Sequence, residues 1–233
     1  MTIKIISLNL GGYTDWENRK AKIIEYLNVE NVDVVMLQEV RFDETSHAVN
    51  QAEELNSMLN VPYEFTSSSV SRFYRPSVGE PYKEGLAGLS RKLIRNSEVF
   101  ALTQMPDDKH IRLVQNIDIV DGGLPLKVTN IHLSNNQYAP DQLQELMGVL
   151  DRRGEKRIVV GDLNIANLSE DSELYEGYTI STEYGQYVSF PSKGLTLDYM
   201  LLPKSHEFIG LKATAGLSDH AAISYEVRTA ANE

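Results

Sequence analysis

Apolar positions at the beginning of the chain follow two different periods. Residues 2–8 (TIKIISL) and 33–39 (DVVMLQE) are nearly continuous runs of aliphatic and β-branched side chains, which predict buried strands. Residues 13–28 and 46–59 instead repeat apolar side chains at helical spacing, which predicts two helices. Residues 14–17 (TDWE) match a capping box at the start of the first helix. Strands and helices therefore alternate in this part of the chain.

The pattern changes after the second helix. Residues 65–81 are rich in Ser, Pro, Arg and Tyr and predict a long surface loop. Strand patterns then follow at 85–90, 98–103, 112–120 and 126–133, and a helical pattern at 141–150 precedes strands at 157–164, 195–202 and 220–227. The separations between the first four of these strands are too short for crossover helices, so we expect antiparallel pairing there. The whole pattern predicts a mixed, largely antiparallel two-sheet core with helices outside.

Length and composition fit one globular domain. The 233 residues contain 42% hydrophobic side chains and show no linker or internal repeat, so we predict a single domain over residues 1–233. No apolar run approaches the roughly 18 residues that a membrane span needs, and the N-terminus lacks the pattern of a secretory leader. We expect a cytoplasmic protein without stable membrane insertion, and no obligate protein partner is evident.

Charge and cysteine content narrow the chemistry. The chain contains no cysteine, which excludes disulfides, thiolate metal sites and cysteine nucleophiles. A bound metal would need oxygen or imidazole ligands. The formal net charge of -11 disfavours tight nonspecific binding of nucleic acid. A phosphate-bearing substrate is still compatible with this charge if divalent cations neutralise the site.

Polar side chains stand at the ends of six apolar runs. Four runs end on Asn9, on Glu39, on His132, and on Asp162 with Asn164, and two others begin at Asp198 and at Asp219 with His220. If the last two strands run antiparallel to the first four, all of these groups collect at one rim of the core. The two-residue period of strands also places Asp162 and Asn164 on one face. Single polar residues commonly cap strands for structural reasons, but six strands that do so together predict a functional site.

His132 and His220 need a separate comparison. A lone histidine beside apolar residues is more often structural than catalytic. These two histidines follow the rim pattern and lie near candidate carboxylates, which favours a functional role.

Seven segments carry a wider resemblance: LNLGG, VVMLQEVR, YKEGLAGLSR, TNIHLS, VVGDLN, LDYMLL and GLSDHAAISY. In this order, from residue 7 to residue 225, they resemble the endonuclease/exonuclease/phosphatase superfamily. The resemblance implies an α/β fold, a four-layer αββα sandwich of two mixed β-sheets flanked by helices. It also implies hydrolysis of phosphoester bonds with Mg²⁺ as the cofactor, or Mn²⁺ in its place.

The resemblance implies roles in metal binding or in activation of the attacking water for five of these polar residues. Glu39 resembles the principal metal ligand, helped by Asn9 and Asp219. Asp162 and Asn164 resemble the pair that positions and deprotonates the attacking water. Carboxylate and amide oxygens are the ligands that Mg²⁺ or Mn²⁺ prefers, and a hard cation is what phosphodiester hydrolysis requires.

The same resemblance implies two histidine–carboxylate pairs. His220 would bind the scissile phosphate while Asp198 orients its ring. His132 resembles the branch of deoxyribonucleases, neutral sphingomyelinases and deadenylases, in which a glutamate in a stretch like YKE pairs with this histidine. Glu84 would then keep His132 protonated, because a neighbouring carboxylate raises the pKa of an imidazole.

Two segments depart from the resemblance. Residues 66–83 have no counterpart, and the predicted loop supplies Arg72, Arg75 and Tyr82 as candidate substrate-binding residues for phosphate contacts or base stacking. A solvated loop without function is an equally good interpretation of this stretch. Before Asp198 the chain has Thr196 and Leu197, where many relatives carry a basic or polar residue.

The sequence leaves the substrate open. The leading hypothesis is a divalent-metal-dependent phosphoester hydrolase of the phosphodiesterase or nuclease type, acting on nucleic acid, a phospholipid or a small phosphorylated metabolite. One alternative is a phosphomonoesterase for a metabolite such as an inositol phosphate. Another is a non-catalytic binding module on the same fold, although the complete set of polar residues disfavours it.

Overall fold

The computed structural model describes residues 2–12, 14–42, 50–74, 82–105, 111–120, 123 and 125–229. Its strands are β1 (Thr2–Asn9), β2 (Val34–Phe42), β3 (Phe65–Tyr74), β4 (Tyr82–Ser90), β5 (Leu93–Ala101), β6 (Leu113–Val120), β7 (Leu126–His132), β8 (Ile158–Asp162), β9 (Tyr178–Ile180), β10 (Asp198–Pro203), β11 (Glu207–Thr214) and β12 (Ala222–Arg228). The α-helices are α1 (Trp16–Glu30), α2 (Gln51–Met58), α3 (Ala139–Arg152) and the short α4 (Ser181–Tyr184). Short 3-10 helices occupy Leu168–Glu170, Ser172–Tyr175 and Pro191–Lys193.

The strands form two mixed six-stranded sheets. The first has the order β11-β12-β1-β2-β4-β3 and the second the order β5-β6-β7-β8-β10-β9. In the first sheet β1 and β2 are parallel, and in the second β7 and β8 are parallel, while the other pairs are antiparallel. A helix joins each parallel pair, α1 in one sheet and α3 in the other, because a parallel connection needs a crossover. These observations confirm the predicted largely antiparallel two-sheet core.

Three apolar cores show that the molecule has four layers. The middle core lies between the two sheets and contains Met36 of β2 and Val160 of β8. A second core packs α1 and α2 against the outer face of the first sheet, and a third packs α3 against the outer face of the second sheet. Leu143, Leu146 and Leu150 of α3 are fully or almost fully buried there, as their helical spacing predicts. The αββα sandwich predicted from the family resemblance is therefore confirmed.

A buried polar cluster joins the sheets next to the rim. The Asn130 side chain on β7 accepts a hydrogen bond from Gln38 Nε2 at 2.8 Å. Its Nδ2 donates to the backbone oxygens of Leu37 and Ala87 and to Gln115 Oε1, at 3.1–3.2 Å. Asn130 is completely buried. Because buried amides are costly without partners, this residue fixes how β7 of the second sheet sits on β2 of the first.

Replacement of Asn130 by leucine is expected to lower the free energy of unfolding by about 1–3 kcal/mol, because buried amide and carbonyl groups lose their partner. Urea unfolding measures this change. Asn96 is exposed on β5, so the matched variant Asn96→Leu should unfold within about 0.5 kcal/mol of wild type. Equal stability of Asn130→Leu and wild type would contradict a stabilising role for the cluster.

Two local predictions are wrong. Most of the predicted loop 65–81 is strand β3, which pairs antiparallel with β4 from Phe65 opposite Ser90 onward. β3 is the edge strand of its sheet, a position where Ser-rich sequences are tolerated because one side of the strand faces no partner. The capping box at residues 14–17 does not form, since α1 begins after Asp15, which has φ 49° and makes no side-chain cap bond. The strands β9 and β11 were not predicted from the sequence.

None of the described helices is both long and apolar enough to cross a lipid bilayer.

Candidate active site

Three strand ends of the second sheet meet at Asp162. His132 ends β7 and pairs in register with Asp162, which ends the parallel strand β8. Asp198 begins β10 and pairs with Asp162 from the other side. Asp162 and Asp198 are almost fully buried, and His132 is 7% exposed. The sheet topology therefore places the three side chains together, as the rim argument predicts.

The first sheet brings its own polar side chains to the same rim. Asn9 ends β1, Glu39 lies in the neighbouring strand β2, and Asp219 and His220 precede β12, which runs antiparallel to β1. A cleft of about 610 Å³ is lined by residues from both sheets. Its lining includes Glu39, Glu84, Arg112, His132, Asn135, Asp162, Asn164, Phe190, Lys193, Asp219 and His220. The site is thus built at the seam between the sheets.

Asn9 connects the two halves of the site. Its Nδ2 donates to Asp162 Oδ2 at 3.0 Å and lies 3.4 Å from Glu39 Oε1. Its Oδ1 accepts the N–H of Gly11 at 2.9 Å, which fixes the orientation of the amide. Because Nδ2 rather than Oδ1 faces Glu39 Oε1 and Asp162 Oδ2, a metal shared with Glu39 would require the amide to turn. Its predicted role as a ligand stays a prediction.

Glu39 lies in an unusual backbone conformation. Its φ is 51°, in the left-handed region that non-glycine residues rarely adopt. The pairing of β2 with β4 is irregular between Leu37 and Val40, which identifies a β-bulge at this position. Bulges redirect side chains and often stand beside functional sites. Here the bulge lies where Glu39 faces the cleft.

Gly11 lies next to Asp219 in a turn where a side chain would displace the Asp219 carboxylate. Its φ is 58°, and a Cβ atom there would lie 2.6 Å from Asp219 Oδ1. The Gly-Gly turn after β1 therefore allows close approach of the segment that carries Asp219 and His220.

Asp198 and His220 form a buried pair. His220 Nδ1 lies 2.7 Å from Asp198 Oδ2. The backbone N–H groups of Leu197 and Asp198 both donate to Ser189 Oγ, at 2.8 and 2.9 Å, which fixes the start of β10. The Phe190 ring lies 4.9 Å from the His220 ring, measured between centroids. The predicted pairing of Asp198 with His220 is present in the structure, and its catalytic role stays a prediction.

Because Nδ1 of His220 contacts Asp198, the other ring nitrogen, Nε2, lies toward Asp162 at the centre of the site. This atom lies 3.8 Å from Asp162 Oδ2. His132 Nε2 approaches the same oxygen to 3.6 Å, and it lies 4.0 Å from Glu39 Oε1. Both imidazoles therefore converge on one carboxylate oxygen.

Burial and neighbouring charges shift the pKa values of Asp162, Glu39 and His220. Burial, followed by the charge of Asp198, raises the pKa of Asp162 to about 8. Burial, together with the charges of Glu84 and Asp219, also raises the pKa of Glu39. Burial alone would lower the pKa of His220, but its contacts with Asp198 and the neighbouring charges outweigh this effect and raise the pKa to about 9.

The donor set fits a hard divalent cation. Ligand atoms of Asp162, Asp198 and His220 lie within 4.8 Å of one another, and the carboxylates of Glu39 and Asp219 line the same cleft. Asp198 Oδ1 is buried and has no hydrogen-bond partner within the described residues. Burial first, and neighbouring negative charge second, raise the pKa values of Glu39 and Asp162, so both effects oppose ionisation of these carboxyl groups. Closely spaced carboxylates of this kind are stabilised by a cation with oxygen ligands.

The structure modifies the predicted pairing of Asp162 and Asn164. β8 ends at Asp162, and Asn164 has φ 53°, so strand alternation does not continue to it. The Asn164 N–H donates to Asp162 Oδ1 at 3.0 Å, and its Nδ2 donates to the Leu133 oxygen at 3.0 Å. Asn164 nevertheless lines the cleft, because the turn brings it back beside Asp162.

Glu84 is buried on β4 and lines the cleft together with His132. Its charge is among those that raise the pKa of Glu39. The predicted pairing of Glu84 with His132 stays a prediction.

The candidate substrate-binding residues lie at the edge of the described structure. The backbone of Arg72 on β3 pairs with Glu84, and Tyr82 begins β4 opposite Tyr74. The side chains of Arg72 and Tyr82 and all of Arg75 lie outside the described part of the chain. Their proposed contacts with substrate stay predictions.

Several cleft residues were not predicted from the sequence, among them Arg112, Phe190 and Lys193. Arg112 is buried, lines the cleft and donates from Nε to Ser134 Oγ at 3.3 Å. Arg112 directly precedes β6, and the beginning of β6 lies beside the end of β7. A search for polar residues at the ends of all predicted strands would therefore have included it. Lys193 lies 5.7 Å over the ring of Phe190, and both come from a connection whose sequence gives no such signal.

Comparisons with known proteins agree with this architecture. A family model described as "Endonuclease/Exonuclease/phosphatase family" matches residues 6–220. An endonuclease/exonuclease/phosphatase from Beutenbergia cavernae DSM 12333 superposes with a TM-score of 0.76 at 19% identity, covering 98% of this chain and 72% of that chain. The catalytic domain of human Nocturnin with bound sulfate superposes with a TM-score of 0.71 at 18% identity, covering 97% of this chain and 93% of that chain.

A third solved structure, D. rerio TDP2 complexed with a single-strand DNA product, gives a TM-score of 0.71 at 18% identity, covering 98% of this chain and 99% of that chain. A search of curated proteins finds no match. At these identities the solved structures establish the fold alone.

Proposed function

Because the chain belongs to the endonuclease/exonuclease/phosphatase family, we propose that it is a divalent-metal-dependent phosphoester hydrolase of the phosphodiesterase or nuclease type. Members of the family hydrolyse phosphoesters, and the fold and the Asp–His cluster of this chain fit that chemistry. The observation that carries the proposal is the convergence of His132 and His220 on Asp162, at 3.6 and 3.8 Å.

Glu39 and Asp219 would hold the cation at the side of the first sheet, with Asn9 as a third ligand if its amide turns. Mg²⁺ suits this set of oxygen atoms, and Mn²⁺ would serve in its place. When bound, the cation supplies Lewis acidity and neutralises the negative charge that develops on the phosphate oxygens.

Asp162 is the candidate general base. Its Oδ1 accepts the Asn164 N–H and its Oδ2 accepts Asn9 Nδ2, so the carboxylate is held in one orientation. A water molecule beside this carboxylate would lose its proton to Asp162 during attack on phosphorus. Asn164, which lines the cleft next to Asp162, would orient that water.

His220, His132 and Arg112 are the candidate cationic donors for phosphate. Asp198 accepts the Nδ1 proton of His220, which leaves Nε2–H to donate to a phosphate oxygen. His132 lies across Asp162 from His220 and would hold a second oxygen, with Glu84 as the predicted partner of its ring. Arg112 would add a planar donor at the wall of the cleft. Fixed donors of this kind stabilise charge in a transition state.

The comparisons support a phosphate-bearing substrate. The Nocturnin domain binds sulfate, and D. rerio TDP2 binds a single-strand DNA product. For this chain we propose a phosphodiester substrate on the same grounds, with the candidate classes of nucleic acid, phospholipid and small phosphorylated metabolite to be separated by experiment.

A substrate panel tests the proposal. It contains single- and double-stranded DNA, RNA, sphingomyelin, inositol phosphates and bis(p-nitrophenyl) phosphate, each incubated with protein and Mg²⁺. We expect turnover of at least one diester by wild type and a loss of about 10²-fold or more in His220→Ala, because a donor to the phosphate is removed.

His206 supplies the matched control for this panel. It lies in the turn after β10, at the opposite end of that strand from Asp198, and outside the cleft. His206→Ala should retain wild-type turnover. Turnover of inositol phosphates alone would favour a phosphomonoesterase, and no turnover of any substrate would favour a non-catalytic binding module and contradict the proposal.

A further inference from the structure

Arg19, in the first turn of α1, holds the Gly-Gly turn that follows β1. Its guanidinium donates to three backbone carbonyl oxygens of this segment, from Nη1 to Leu10, from Nη2 to Gly12 at 2.9 Å and from Nε to Thr14 at 2.7 Å. A planar guanidinium suits this task because its fixed fork of donors can reach several carbonyl groups at once. One side chain therefore fixes the path of the backbone through the turn.

A buried glutamine holds the same turn from the other side. Gln51 is the first residue of α2 and is 1% exposed. Its Nε2 donates to the Gly12 carbonyl oxygen at 3.0 Å, and its Oε1 accepts the backbone N–H of Arg41 at 2.9 Å. Arg41 lies two residues after Glu39 in β2. The Gly12 carbonyl group thus accepts from both Arg19 and Gln51, which links the turn to the strand that carries Glu39.

The Gly-Gly turn contacts Asn9 and Asp219 directly. The Gly11 N–H donates to Asn9 Oδ1 at 2.9 Å. The Gly11 backbone lies so close to Asp219 that an added Cβ atom would stand 2.6 Å from Oδ1 of its carboxylate. A displaced turn would therefore leave the Asp219 carboxylate without the wall it packs against. Groups behind a metal ligand commonly fix the position of that ligand.

The charge of Arg19 and its hydrogen bonds should affect a bound cation in opposite directions. Burial lowers the pKa of Arg19, while the negative charges of Asp219, Asp15 and Glu39 act to raise it, so these carboxylates attract the guanidinium. A positive charge near them repels a divalent cation, and removal of that charge alone would strengthen metal binding. Loss of the hydrogen bonds that hold the turn would weaken it. The sign of the change therefore separates the two effects.

We propose that Arg19 is a positioning residue for the divalent cation, because it fixes the Gly-Gly turn and, through the turn, the Asp219 carboxylate. The inference deepens the proposed function and rests on it. Among the described residues that line the cleft, neither Arg19 nor Gln51 is present, so Arg19 acts through Asp219 and does not touch the reacting atoms.

Calorimetric titration with Mn²⁺, without substrate, tests the role of Arg19. Arg19→Met removes the three donors, and we expect its Kd for Mn²⁺ to be at least about tenfold weaker than that of wild type. Arg19→Lys keeps the positive charge, but one ammonium group does not reproduce the guanidinium fork. We expect a Kd that is about three- to tenfold weaker in Arg19→Lys, and this variant serves if Arg19→Met does not fold.

Arg91 supplies the matched controls. It is half-buried like Arg19, and its guanidinium also donates to backbone oxygens, those of Val32 and Val61 at 3.1 and 3.3 Å. Each of the two guanidinium groups also lies over an aromatic ring. Arg91 follows β4 at the end remote from the cleft. Arg91→Met and Arg91→Lys should therefore lose similar contacts and still bind Mn²⁺ as wild type does.

Amide hydrogen exchange of the metal-free protein gives a second readout at the turn itself. The Gly11 N–H is protected by its hydrogen bond to Asn9 Oδ1, so its exchange rate reports whether the turn keeps its conformation. We expect exchange at Gly11 to be about tenfold faster in Arg19→Met than in wild type. Arg91→Met should leave this rate unchanged. An unchanged rate in Arg19→Met would contradict the proposed hold on the turn.

The positioning role and the proposed function fail in distinguishable ways. Wild-type or tighter Mn²⁺ binding by either Arg19 variant, or an equal loss of affinity in the matched Arg91 variant, would overturn the role of Arg19 and leave the hydrolase proposal intact. Absence of Mn²⁺ binding by wild type would contradict the metal-dependent function and the role of Arg19 together. The wild-type titration therefore tells the two failures apart.

Discussion

Replacement of Asp162 by asparagine is expected to lower the kcat of phosphodiester hydrolysis by about 10²–10⁴-fold, because the proposed general base is lost. The folded state should survive this change. The variant loses one accepted hydrogen bond, from Asn9 or from the Asn164 N–H, but it also removes a carboxyl group whose ionisation is opposed by burial and by the charge of Asp198. These effects oppose each other, so the free energy of unfolding should change by about 1 kcal/mol or less. Steady-state kinetics and urea unfolding measure the two quantities.

Asp118 provides the matched control. Its carboxylate lies 2.8 Å from Arg157 Nη2, near the end of β6 remote from the cleft. Asp118→Asn makes the same exchange in another partly buried carboxylate and should retain wild-type kcat. Turnover by Asp162→Asn at the wild-type rate would show that the base lies elsewhere.

Removal of divalent cations with EDTA is expected to lower turnover by about 10²-fold or more, and excess Mg²⁺ or Mn²⁺ should restore it. Without a cation, a negatively charged phosphodiester would face the carboxylates of Glu39, Glu84, Asp162 and Asp219 in the cleft. Calorimetric titration with Mn²⁺ gives a second readout that does not depend on activity. Glu39→Gln should bind Mn²⁺ at least about tenfold more weakly than wild type, since outer-shell changes alone reach that size.

The matched control for metal binding is Glu98→Gln. Glu98 is half-exposed on β5, where it pairs with Arg153 at 2.6 Å outside the cleft. This variant should bind Mn²⁺ as wild type does. Turnover that persists after chelation would contradict the proposed chemistry, and equal Mn²⁺ affinity in Glu39→Gln would remove Glu39 from the ligand set.

The sequence predicts the location of the site well because strand ends are easy to identify. An apolar run that stops at Asn9, His132 or Asp162 marks both a strand and its terminal side chain. The directions of the strands then decide which strand ends lie at the same edge of the core. In the structure β10 and β12 run antiparallel to their neighbours β8 and β1, as the sequence analysis required. Local pattern and topology together were therefore sufficient to collect Glu39, His132, Asp162, Asn164, Asp219 and His220 in the cleft.

Features that depend on tertiary contact could not be predicted in this way. β3 is Ser-rich, and only its pairing with β4 makes it a strand. The left-handed backbone of Glu39 depends on a bulge against β4, and the Phe190 ring reaches His220 only after the connection before β10 has folded. Such features follow from packing, which a single sequence does not display.

The hydrogen bond from Asn9 to Asp162 joins residues 153 positions apart in the chain. Neither sheet alone contains a complete set of catalytic candidates, because Glu39 and His220 come with one sheet and His132 and Asp162 with the other. A folding intermediate with only one sheet in place would therefore be chemically inert. The proposed hydrolysis therefore depends on the assembly of both sheets against each other.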